Sequence, residues 1–446
     1  MKLRIAYTLL FGYLLNLYAG CSSGNENAPL NTSQPSLEFL KTFGGSKNES
    51  AQSITKTFDG GYAILGFTQS MDGDILNKSN DTYDYWLLKF DANNALQWQK
   101  TYGGTDEDRG SSIIQTSDNG YLIIGFSKSI DGDISTNEGS NDFWVSKLDA
   151  KGTIIWKKSF GYSGLDNGIS VIQANDGGYL LIGILDVSAS GGLGNTKYNS
   201  TKHAGGDFWA IKLNASGEKQ WSRYYGGTFT DTPYGGIQTE DNGYIIVGSS
   251  DSSDFNISNN LGSYDFWVIK ISNLGDLIWE RSFGGSQIDE ARAITSSGDG
   301  NYLIVGDTRS NDLNVSKNNG AADVWLIKIS PSGDLIWEKS FGGSSFDVGR
   351  SISRTQDNGF IIAGSSRSSD IDLSKNNGQN DAWVFKIDSN GNVKWSETVG
   401  GTDIDFAYSM AVLNDGTIVV AGESNSSELD IPINKGFTDL LVFNIK

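Results

Sequence analysis

Residues 351–401 read SISRTQDNGFIIAGSSRSSDIDLSKNNGQNDAWVFKIDSNGNVKWSETVGG, and this stretch decides the fold. Ser351-Ile352-Ser353-Arg354-Thr355 alternates as a short half-buried strand does. Asp357-Asn358-Gly359 follows as a hairpin turn, with glycine where a positive φ is needed. Residues 360–364 (FIIAG) form a second strand, apolar on both faces. A polar loop leads to a third strand at 382–387, and Asp388-Ser389-Asn390-Gly391 turns the chain into a fourth at 393–397. Gly400-Gly401 hands the chain on. Four antiparallel strands whose middle pair is apolar on both faces need a neighbouring sheet on each side.

Outward from this stretch the same unit recurs. Its clearest marker, Asp-x-Trp, falls at Asp84/Trp86, Asp142/Trp144, Asp207/Trp209, Asp265/Trp267, Asp323/Trp325 and Asp381/Trp383, with Asp439/Leu441 as the seventh copy. The interval is 58 residues, except for 65 across the third copy. A second tryptophan follows each of the first six, at Trp98, Trp156, Trp221, Trp279, Trp337 and Trp395, and the two series account for all 12 tryptophans. Length alone suggests several domains, but a repeat adds units to one body. The expectation is an all-β, seven-bladed β-propeller over residues 37–446. Copy seven stops after its third strand, and residues 37–45 (LEFLKTFGG) match residues 335–343 (LIWEKSFGG). The N-terminal segment therefore supplies the missing fourth strand and leaves no open sheet edge.

The unit resembles the SBBP family of seven-bladed propeller repeats. That family's pattern is a Gly-Gly pair, a nearby Asp, a glycine-containing hairpin and Gly-x-[ST]-x-Ser. Here it reads Gly284-Gly285-Ser286 with Asp289, then Gly300-Asn301-Tyr302 and Gly306-Asp307-Thr308-Arg309-Ser310. The turn between third and fourth strands also looks like the quinoprotein-type propeller motif, as in Asp149-Ala150-Lys151-Gly152-Thr153-Ile154-Ile155-Trp156. These resemblances imply a fold and export rather than a reaction, because one propeller architecture carries many functions.

Ahead of the repeats, Lys2 and Arg4 precede an apolar stretch over residues 5–17. The segment ends Leu17-Tyr18-Ala19-Gly20-Cys21, with the chain's single cysteine. It is similar to a bacterial lipobox, apart from Tyr18 where an aliphatic residue is usual. The resemblance implies a signal peptide over 1–20 and a lipidated Cys21. Residues 21–36 then read as a flexible tether. The expected location is extracytoplasmic, on the outer membrane or cell surface, with the lipid as the membrane contact.

The formal net charge is −19, which excludes a nucleic-acid partner because no basic stripe offsets it. A monomer with a glycan or protein ligand is the expected assembly. Catalysis has little to build on: His203 is the only histidine, and no phosphate loop, HExxH or nucleophile elbow occurs. No catalytic residue is assigned. A polysaccharide-active enzyme using paired carboxylates is the alternative function. The Asp-Asn-Gly hairpins faintly resemble a sialidase Asp-box, but lack its aromatic residue.

Three groups of residues are candidate sites. Glu49, Asp108, Asp166, Asp231, Asp289, Asp347 and Asp405 follow the Gly-Gly turns. They read either as a cation or polyol ring around the channel or as acceptors inside their own turns. Asp131, Asp133, Asn137 and Asp142, with Asp312, Asp370 and Asp372 in sibling loops, place oxygens at alternate positions, a pattern suited to Ca²⁺ or to Asx-turns. Calcium is the one cofactor considered. The third copy breaks the symmetry with a longer loop over residues 186–206, no Asp-x-Asp, and Gly161-Tyr162 in place of Gly-Gly. His203, Tyr198 and Asp207 are the expected ligand patch there.

Overall fold

The computed structural model describes residues 35–197 and 203–446. The expected signal peptide, Cys21 and Tyr198 lie outside the described residues.

Among the described residues seven four-stranded antiparallel sheets form, six of them pairing their strands in sequence order. Blade 6 consists of Asp347–Arg354, Phe360–Ser366, Asp381–Ile387 and Val393–Val399. Blade 7 joins Asp405–Val412, Ile418–Ser424 and Asp439–Ile445 to Leu37–Phe43 from the other end of the chain. The register sets Phe43 opposite Leu440 and Leu40 opposite Phe443. Ser36 and Lys446 exchange backbone hydrogen bonds of 2.9 and 3.0 Å. The first strands of successive blades touch around a complete ring, the seventh meeting the first. This is the seven-bladed propeller that the repeat spacing requires, closed by its N-terminal strand.

Hydrophobic burial between blades holds the ring together. The third strands of blades 1, 2 and 4 are buried along their whole length. The middle residue of Asp-x-Trp reaches the next blade's tryptophan. Tyr85 meets Trp144 with ring centroids 4.9 Å apart, Phe208 meets Trp267 at 4.5 Å and Phe266 meets Trp325 at 4.6 Å, all edge-on. Such pairs add about 0.5–1.5 kcal/mol beyond the area they bury. In blade 6 that middle residue is Ala382, and Trp383 stacks on Phe385 of its own strand at 4.3 Å. The second tryptophans sit on the outer strands. Gly152, at φ 73°, lies under Trp98, where a Cβ would come within 3.0 Å of the ring. Its turn keeps glycine for both reasons.

With four strands per blade, one face of the ring carries the Gly-Gly turns and the long loops between second and third strands. The opposite face carries the two short hairpins of blades 1 to 6, and in blade 7 one hairpin beside the paired Ser36 and Lys446.

Candidate functional site

The acids after the Gly-Gly turns do not ring the channel. Each is fully buried. Asp108 accepts the Gly104 N–H at 2.8 Å, the Ser129 hydroxyl at 2.8 Å and the Ser127 hydroxyl. Asp289, Asp347 and Asp405 repeat this pattern, and Glu49 accepts the Gly45 N–H at 2.8 Å. These carboxylates tie a Gly-Gly turn to the second strand of their own blade.

The Asp-x-Trp aspartates form a second buried set. In most blades Oδ2 accepts the backbone N–H four residues earlier, as from Glu138 to Asp142 at 2.9 Å and from Asn377 to Asp381 at 2.8 Å. In every blade Oδ1 is buried without a hydrogen-bond partner. Burial pushes Asp84 up to about 7, and Asp265, Asp323, Asp381 and Asp439 to about 6. The carboxylate of the following turn adds like-charge repulsion.

The loop oxygens considered for calcium accept hydrogen bonds from backbone amides. Asp131 accepts the Thr105 N–H at 2.8 Å, Asp133 the Gly103 N–H at 3.3 Å and Asn137 the Gly139 N–H at 2.9 Å. Asp312 and Asp370 accept from Ser286 and Ser344 at 2.7 and 2.8 Å, and Asp372 from Gly342 at 3.0 Å. Among the described residues no three His, Cys, Asp or Glu side chains gather as a metal-holding group. Asn137 makes an Asx-turn, whereas the aspartates at alternate positions clamp the amides of the Gly-Gly turn on which their loop packs.

Blade 3 shows what its symmetry break does. His203 Nδ1 lies 2.7 Å from Asp207 Oδ2, taking the place of the backbone donor used elsewhere. His203 is 5% exposed and Asp207 0%, so these two fill the interior rather than forming the surface patch expected of them. The His203 ring stacks on Phe255 of blade 4 with centroids 4.7 Å apart. Tyr162 is explained by the same loop. A Cβ at the matching Gly104 would collide with Asp131. Blade 3 has no Asp-x-Asp, and Tyr162 packs there against Trp209 at 6.0 Å.

The symmetry breaks more consequentially on the axis. Every first strand carries a β-bulge at the same place, leaving one residue unpaired. Such an extra residue bends the strand and re-aims its side chain. Blades 1 to 3 present Gln52, Ser111 and Ile169; blades 4 to 7 present Tyr234, Arg292, Arg350 and Tyr408. All seven line one cavity of about 710 Å³ at the channel mouth, on the Gly-Gly face.

The arc from blade 4 to blade 7 holds two Tyr–Arg pairs side by side. The Arg292 guanidinium lies 4.4 Å from the Tyr234 ring centre, and Arg350 lies 5.0 Å from Tyr408. Arg292 is neutralised by Glu290 at 2.8 Å and Asp307 at 3.5 Å. Burial pushes Asp307 up to about 6, against the pull of Arg292. Glu423 accepts the Tyr408 hydroxyl at 2.8 Å. Across the mouth, Arg109 pairs with Glu107 at 2.5 Å and covers Tyr83 at 4.0 Å. Arg350 differs from both in making no ion pair among the described residues; its Nε, like that of Arg109, is buried without an acceptor. Burial, and then the Arg292 charge, press its pKa downward.

Sequence reasoning missed these residues because a bulge leaves no mark in the apolar–polar alternation. A signal existed nonetheless. The position three residues after each turn acid reads Gln, Ser, Ile, Tyr, Arg, Arg, Tyr around the ring, while its neighbours repeat.

No family model matches the chain. Regulatory protein FlaEY of Caulobacter vibrioides is 24% identical over 246 residues, covering 53% of this chain and 24% of that protein. The chain thus spans about a quarter of the length of that curated relative. Among solved structures, BBS1N in complex with ARL6DN aligns at TM-score 0.46 and 10% identity, over 92% of this chain and 96% of that one. YCF48 bound to a D1 peptide aligns at 0.43 and 9%, over 94% and 98%. Sqt1 from Chaetomium thermophilum aligns at 0.43 and 8%, over 86% and 83%. Likenesses this distant say nothing about the ligand, and the blade count rests on the seven sheets themselves.

Proposed function

We propose that the chain is an extracytoplasmic binding module, held to a membrane by a lipid on Cys21, with its ligand at the channel mouth. One observation carries the choice of site: seven bulge residues meet in a single cavity, and on four successive blades they are Tyr, Arg, Arg and Tyr. Pockets of about 300–1,000 Å³ with a few convergent polar groups suit small ligands or protruding side chains. Binding is favoured over glycoside hydrolysis because the acids beside the arc are engaged, Glu290 and Asp307 by Arg292 and Glu423 by Tyr408. The lipid anchor rests on the small residues before the lone cysteine.

Two substitutions test the two halves of this reading. Ser111→Trp fills the mouth from the side opposite the arc, and should abolish ligand capture while the protein stays folded. Undiminished binding of displayed peptides and arrayed glycans by this variant would refute the channel site. Cys21→Ser should lose incorporation of a fatty-acid analogue and leave the membrane fraction; equal labelling of both proteins would refute the anchor.

A further inference from the structure

Resting on the channel reading, a second feature of the same four blades narrows the ligand class. The loop packed on each Gly-Gly turn passes through the left-handed region at one residue. Blades 1 and 2 place Gly73 and Gly132 there, at φ 67° and 64°. Blades 4 to 7 place Phe255, Leu313, Ile371 and Leu429 there, at φ 51°, 57°, 61° and 62°. Left-handed backbone costs a bulky L-residue roughly 1–2 kcal/mol, and a β-branched isoleucine is the poorest choice. Leu313, Ile371 and Leu429 are 67, 61 and 65% exposed, so burial does not offset their strain, while Phe255 has the His203 ring stacked on it. Strained positions that persist without a packing gain gather at functional surfaces.

The left-handed apolar residues and the Tyr–Arg arc occupy the same four blades and open on the same face, and Met71 and Ile130 add exposed apolar side chains on the equivalent loops of blades 1 and 2. We propose that this face docks a polypeptide, which inserts a carboxylate between Arg350 and Arg292 and lays apolar side chains on Phe255, Leu313, Ile371 and Leu429. Charge complementarity selects the carboxylate: among the described residues Arg350 is the cation of the mouth without an ion pair, Asp307 reaching it only through its field while bonded to Arg292. Glu290, Asp307, Glu423 and Glu107 already have partners. The apolar residues select a polypeptide over a saccharide, because leucine and isoleucine offer nothing to hydroxyl-rich rings. Tyrosine and arginine are also enriched among the residues that dominate interface hot spots. His203 contributes indirectly, by stacking beneath Phe255.

The test is selection from a random peptide library displayed with free C-termini, on wild type, Arg350→Gln, Ile371→Gly and Ser111→Trp proteins, beside an acidic and neutral glycan array. Wild type should enrich peptides with an aspartate, glutamate or terminal carboxylate next to apolar residues. Arg350→Gln should weaken a selected peptide about ten- to a hundred-fold, the worth of a charged hydrogen bond, and so should amidation of that carboxylate. Ile371→Gly should weaken it several-fold without lowering the melting temperature. No enrichment, acid-free peptides, or equal binding by Arg350→Gln would overturn the proposal. If acidic glycans alone bind, and Ser111→Trp removes them, the polypeptide assignment falls while the channel site stands. If Ser111→Trp binds as wild type does, the channel site falls first.

Discussion

Asp84 Oδ1 and Asp108 Oδ2, from adjacent blades, converge on the same side of Gly103, where a Cβ would lie 2.6 Å from one and 2.8 Å from the other. Similar approaches recur at Gly44, Gly226, Gly284, Gly342 and Gly400. The first glycine of each Gly-Gly pair is therefore kept for close approach. Gly103→Ala should push the two carboxylates apart and cost about 1–3 kcal/mol, as overpacking does. An unchanged melting temperature would contradict this reading.

The same carboxylates set a pH dependence. The ordinary aspartate value is 3.8, and burial raises Asp84 and Asp231 to about 7 and Asp166, Asp207 and Asp265 to about 6. Groups raised on folding stabilise the protein fully below the unfolded value, and that contribution is lost as pH rises through the folded one. Surface aspartates paired with lysines act oppositely: Asp118, Asp241 and Asp357 are lowered to about 2, so their contribution is lost as pH falls from 3.8 toward 2. The melting temperature should peak near pH 4 and decline from there to about pH 7. A rise over that interval would show that the buried pairs stay ionised.

Most of the fold was legible because it is written seven times. Strands, hairpins and closure follow from Asp-x-Trp spacing, paired turns and the match between residues 37–45 and 335–343. The site was less legible for two physical reasons. Aspartates at alternate positions look alike whether they bind a cation or a backbone amide, and here Asp131, Asp133 and Asp370 meet amides. Arg292 and Arg350 come together through bulges, which periodicity cannot register. The expectation that function lies where symmetry breaks pointed to His203 and Asp207, whereas the open break is on the axis.

His203 offers a check on its structural role. His203→Ala removes the ring from beneath Phe255 and leaves Asp207 buried without its donor, a loss of about 1–3 kcal/mol. Thermal unfolding should show it, and an unchanged transition would mean that blade 3 supplies another donor.

Removing Leu37–Phe43 should destabilise the whole ring rather than fray one end. The truncation bares Asp439–Ile445, a strand buried along its length, as an open edge. The expected product unfolds at a much lower temperature and self-associates. A single transition at the wild-type temperature would contradict the closure.

The central claim is that Arg350 receives a ligand's carboxylate. A crystal structure of the protein with a library-selected acidic peptide tests it most directly. The expected result is a carboxylate about 3 Å from the Arg350 guanidinium, between Tyr408 and Arg292, with apolar side chains over Ile371 and Leu429. A peptide paired along an outer strand, with Arg350 still without an acceptor, would contradict it.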